Sequence, residues 1–82
     1  MANPEGGRQA EARYANHFKV GHTAFEFILE FGQFYSGESE PDPHTRIVTS
    51  PAYANSLLIL LQDSLKRYEM TFGTPSPDPR HE

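Results

Sequence analysis

Eighty-two residues, with seven basic and eleven acidic side chains, give a formal net charge of -4, no cysteine and only 37% hydrophobic content. One small domain is the most such a chain can form, and disulfide scaffolds and cysteine-based zinc or iron–sulfur sites are excluded. The acidic balance argues against nucleic acid as a partner, because affinity for phosphate backbones rests on clustered Lys and Arg.

No apolar run approaches the roughly 18 residues of a membrane span; the longest, Leu57 to Leu61, covers little more than one helical turn. Met1 to Gly7 has neither the basic nor the apolar region of a secretory leader, which predicts a cytoplasmic protein with no membrane partner. Residues 1–11 and the Pro-rich residues 74–82 lack any apolar period and are expected to be disordered tails. The foldable part is 12–73. A chain that short is marginally stable alone, so association with itself, as a homodimer or larger, is the expected source of further stability.

From Ala12 to Phe31 the pattern has period 2. Tyr14, Asn16, Phe18 and Val20 alternate with Arg13, Ala15, His17 and Lys19. After Gly21-His22-Thr23, Phe25, Phe27, Leu29 and Phe31 alternate with Glu26, Ile28 and Glu30. This predicts a β-hairpin turning at Gly21. A two-residue loop there places Phe18 opposite Phe25, His17 opposite Glu26 and Arg13 opposite Glu30. A four-residue loop sets Lys19 opposite Glu26 instead, and either choice keeps every residue on the same face. One face is then apolar, with Asn16 as its misfit, and the other carries cross-strand opposite charges.

Gly32 to Pro43, with three carboxylates, two prolines and Gly37, reads as an exposed loop, with Phe34 and Tyr35 able to prolong the second strand. His44 to Thr49 is β-rich and makes a third strand. Next, Ser50 supplies an N-cap and Pro51 an N1 residue for a long helix ending at Gly73. Along it Ala54, Leu57, Leu58, Leu61, Leu65, Tyr68 and Phe72 form one stripe.

The expected fold is α+β, in the order β-β-β-α: a three-stranded antiparallel sheet packed against one C-terminal helix in an oligomer. Its expected core is Tyr14, Phe18, Phe25, Phe27, Leu29, Phe31, Leu57, Leu58, Leu61, Leu65, Tyr68 and Phe72. Ile59 and Leu60 fall off the stripe, leaving the helix apolar around most of its circumference at that level, and they are the interface candidates.

Chemistry-bearing patterns are weak. His17, His22 and His44 would meet only if the third strand brought them together, and no two have the i, i+4 spacing of a helical zinc pair. Glu38, Glu40 and Asp42 lack the central glycine and distal glutamate of a calcium loop. There is no cysteine nucleophile and no serine in a G-x-S-x-G context; Ser50 is better read as a cap. Glu26 and Glu30 have cations within pairing reach, and nothing marks a dry pocket for a general acid. Gly6-Gly7 precedes no helix, so there is no phosphate loop. Neither an enzyme activity nor a cofactor or metal is expected.

The residues Tyr14-Ala15-Asn16, His22, Glu26-Phe27, Leu29-Glu30-Phe31-Gly32, Arg46-Ile47-Val48, Pro51, Ala54, Leu57-Leu58, Leu61, Tyr68-Glu69 and Phe72-Gly73 together resemble a family of small bacterial proteins known as domain of unknown function 3467. The resemblance spans 12–73, with Glu30 where the family's aspartate is expected. It implies a fold and no activity. Strands followed by a long helix in an oligomer are also similar in architecture to the export chaperone SecB, an analogy of fold alone. Three functions follow as expectations: an oligomeric scaffold or protein-interaction module, a chaperone-like module that binds another protein or peptide, and a binder of single-stranded nucleic acid.

Overall fold

A computed structural model describes residues 9–76 and contains, in chain order, β1 (His17–His22), β2 (Phe27–Gln33), β3 (Asp42–Thr49) and α1 (Pro51–Phe72). The strands form one antiparallel sheet in the order β1-β2-β3, so the α+β class and the β-β-β-α order match expectation. Residues 1–8 and 77–82, most of the two expected tails, lie outside the described residues.

The hairpin differs from the expected one in register. His22 pairs with Phe27, Val20 with Leu29, Lys19 with Glu30 and Phe18 with Phe31. Gly21 therefore lies in the ladder opposite Ile28, and the four loop residues are Thr23 to Glu26. The turn is made by a side chain. Thr23 Oγ1 accepts from the backbone N–H groups of Phe25 and Glu26 at 3.2 and 3.1 Å, while Thr23 N–H donates to the Glu26 carbonyl at 2.9 Å. A Thr hydroxyl can close such a turn without a positive-φ residue, so glycine was the wrong marker. Strand residues nevertheless keep their expected faces, because the register differs from both proposals by an even number of residues.

Across the sheet, Phe18, Val20, Phe27, Leu29, Phe31 and Ile47 share one face, as their pairing requires. The other face carries the row Lys19, Glu30, Arg46 and, beside it, Gly21, Ile28, Val48. The Arg46 Nε lies 3.8 Å from Glu30 Oε1, a half-open pair of modest worth.

The third strand starts earlier than expected, at Asp42, and takes in Pro43. Proline is tolerated there because β3 is an edge strand with one side unpaired. Phe31 pairs with Thr45 but Gly32 with Pro43, so His44 is the extra residue of a bulge. Gly32, the buried residue of β2, is fixed by close approach: a Cβ there would lie 2.9 Å from both the Asp42 carbonyl oxygen and Pro43 Cα. Beyond β2, Gly37 at φ 87° completes a tight turn in which Glu38 N–H donates to the Tyr35 carbonyl.

The helix follows its sequence signals closely. Ser50 is extended and its Oγ accepts from Tyr53 N–H at 3.2 Å, Pro51 opens the first turn, and Gly73 at φ 85° closes the last by donating to the Glu69 carbonyl. Packing of the helix on the sheet is slight within one chain. Strand contacts strand extensively, whereas the helix makes only sparse contact with the sheet. Among the described residues no apolar side chain is buried. Of the twelve expected core residues, Tyr14, Phe27, Leu29 and Phe31 are half-buried and the other eight are exposed. Phe25, placed in the turn, is 82% exposed and leaves the apolar face altogether. One residue, Ser50, separates β3 from α1, and only the first turns of the helix lie near the apolar sheet face.

Candidate interaction surface

The helix stripe and the apolar sheet face meet only near the first turns of the helix. There Val20, Phe27 and Leu29 line one wall of an open groove of about 550 Å³, and Pro51, Ala54, Asn55, Leu57, Leu58 and Leu61 line the other. Farther along the stripe, Leu65, Tyr68 and Phe72 stay exposed, with the Tyr68 and Phe72 rings 5.0 Å apart. The interface candidates Ile59 and Leu60 are 56% and 65% exposed, hardly different from Leu61 at 54%. The sequence separated a core stripe from off-stripe residues; a single chain leaves both open.

A polar cluster fastens the opposite end of the sheet. Asn16, the misfit of the apolar pattern, accepts from Phe34 N–H through Oδ1 at 2.7 Å and donates to the Phe34 carbonyl through Nδ2 at 3.3 Å. Its backbone N–H also donates to the Gly32 carbonyl at 3.1 Å. A side-chain amide carries the same donor and acceptor as a peptide group, so Asn16 continues the ladder where β1 has not yet begun. His44, turned out of the ladder by the bulge, lies with Nε2 2.9 Å from the Tyr14 carbonyl and Nδ1 2.7 Å from Thr45 Oγ1. A carbonyl only accepts, so Nε2 carries a proton, and in the neutral ring Nδ1 then accepts from the Thr45 hydroxyl. Arg13 Nη1 donates to the His44 carbonyl at 3.1 Å, and its Nη2 lies 3.4 Å from Glu11. These contacts tie the segment before β1 across to β3. The misfit polarity of Asn16 was the sequence signal for it; nothing in the sequence marked the Tyr14 to His44 contact.

The histidines and carboxylates weighed as metal ligands lie apart. His17 and His22 are five residues apart on one strand and so point to opposite faces. His17 packs its edge on Phe34 at 6.0 Å, and His22 stacks on Phe27 at 5.2 Å. No group of three or more His, Asp or Glu among the described residues is placed to hold a metal ion, Glu38, Glu40 and Asp42 included. An open hollow of about 500 Å³ beside His44, Arg13 and Arg46 has its two cations already engaged, with Glu11 and the His44 carbonyl and with Glu30. Among the described residues no helix is long and apolar enough to cross a membrane.

Comparison with known proteins adds the family. Residues 5–75 match the family described as "Protein of unknown function (DUF3467)", and the chain belongs to it, as the sequence resemblance implied. No curated protein and no solved structure matches the chain.

Proposed function

We propose that this member of the family is a non-enzymatic protein-interaction module that acts as a homo-oligomeric scaffold. The observation that carries the proposal is a well-formed sheet and helix that together bury no apolar side chain among the described residues. Folding must offset the entropy of ordering the chain, and apolar burial is the main term available to do so. With no cysteine to crosslink it, the chain has protein partners as its source of burial. Ile59 and Leu60 extend the apolar surface beyond the stripe, so the helix is covered on more than one side. Sedimentation at equal concentration tests this. The wild type should exceed the 9.3 kDa of one chain, and the double variant Ile59→Lys, Leu60→Glu should be smaller, because unpaired charges would enter the interface. A wild-type mass of one chain overturns the reading.

The open apolar groove favours a second reading, a chaperone-like module that holds an extended peptide of another protein. The assembled particle would then bind a hydrophobic dye and suppress aggregation of an unfolded client; a plain scaffold does neither.

A further inference from the structure

We infer that the helix of one copy lies across the apolar sheet face of a second copy, and the reverse, so that two chains complete one another's core. The inference rests on the self-association proposed above and specifies what covers each surface.

Exposed apolar surface is the first support. Among the described residues Phe18, Val20, Leu61, Leu65, Tyr68 and Phe72 are each 43–71% exposed, and contiguous open apolar surface of this kind marks a protein interface. The second support is the joint. Ser50, extended at φ -83° and ψ 160°, alone links β3 to α1, and its hydroxyl cap with Pro51 starts the helix directly after the strand. Farther along that helix the distal stripe of Leu65, Tyr68 and Phe72 stays exposed.

The third support is complementarity of what remains open. A helix of 22 residues is about 33 Å long, and its first turns flank Val20, Phe27 and Leu29 of the same chain. Phe18 and Phe31, paired edge to face at 5.7 Å, sit at the other end of that sheet face. Phe18 is 61% exposed and Phe31 half-buried, so each chain has one uncovered apolar half-helix and one partly uncovered aromatic half-face. A two-fold axis matches both at once and closes the assembly without leaving an open end. Leu65, Tyr68 and Phe72 of the second copy would cover Phe18 and Phe31.

The absence of cysteine makes the test clean. Two full-length chains with tags of different size, one carrying Leu65→Cys and the other Phe18→Cys, are co-expressed and oxidised. A covalent heterodimer several-fold more abundant than either homodimer is expected. Phe72→Cys with Phe31→Cys is the second pair, for use should the first prevent folding. An oligomeric particle that crosslinks only through paired Leu65→Cys chains would place helix against helix and overturn the inference. An oligomeric particle with neither heterodimer overturns it as well, while leaving the scaffold reading intact. A one-chain mass for the wild type removes both.

Discussion

The sheet and the helix are held by opposite means. The sheet has irregular sequence signals, yet its contacts lie within the chain: the Lys19, Glu30 and Arg46 row, the Thr23 turn, the Asn16 amide on Phe34 and the His44 ring on Tyr14. The helix carries strong local signals, with a cap, an N1 proline, an apolar stripe and a terminal glycine, and it buries nothing. Local signals decide whether a helix can form, while most helical stability in a protein comes from covering its apolar face. The two elements should therefore respond differently to mutation and to concentration: the helix through the assembly, the sheet through each chain.

The largest effect is expected at Leu61→Ala. Mid-stripe, and covered in the proposed assembly, Leu61 should cost about 2–5 kcal/mol on truncation, the range of buried leucines. Chemical denaturation at two protein concentrations measures it, and the wild-type midpoint should rise with concentration. A loss below about 0.5 kcal/mol, the level of ordinary surface changes, would show the stripe uncovered in the working protein.

Gly32→Ala comes next and probes the sheet. Its Cβ would stand 2.9 Å from the backbone of Asp42 and Pro43, which cannot rotate away as a side chain can, at a cost of about 1–3 kcal/mol. The loss should change little between the two protein concentrations. A strong dependence on concentration would mean that the bulge region also contributes to subunit contact.

Asn16→Ala should be smaller, about 1 kcal/mol, because Phe34 is half-buried and water can replace part of what is lost. Hydrogen exchange reads it locally: the Phe34 amide should lose protection while the Leu29 amide keeps it. Equal loss at both would make Asn16 a support of the whole sheet instead of a clip at its end.

What was legible in the sequence follows the same division. The helix was readable to its caps because Ser50, Pro51 and Gly73 act on the backbone beside them. Strand faces were readable too, since alternation fixes a face whatever the pairing. Register was not, because Thr23 competes with Gly21 to make the turn and only the closed hairpin shows which prevails. What covers the core was not legible for a physical reason: a stripe of Leu57, Leu61 and Leu65 announces that something covers it, and periodicity is silent on whether the cover is the same chain. Asn16 looked like an error in the apolar pattern; it is a substitute peptide group.

The smallest effect, and the sharpest probe of the helix's far side, is Asp63→Ala. Asp63 Oδ2 lies 2.8 Å from Arg67 Nη2 one turn along, both side chains mostly exposed. An exposed pair at i, i+4 contributes about 0.3–0.5 kcal/mol, and Arg67 stays solvated once its partner is gone. The variant should thus melt within a degree or two of the wild type and sediment with the same mass. Ile59 stands four residues earlier on the same flank, which makes the outcome informative about how much of the helix the assembly covers. At 1 M salt the small difference should vanish, since the Debye length there is about 3 Å. A loss above about 1 kcal/mol that survives high salt, or any change in mass, would place Asp63 in a desolvated contact and extend the interface past Ile59 along the same flank.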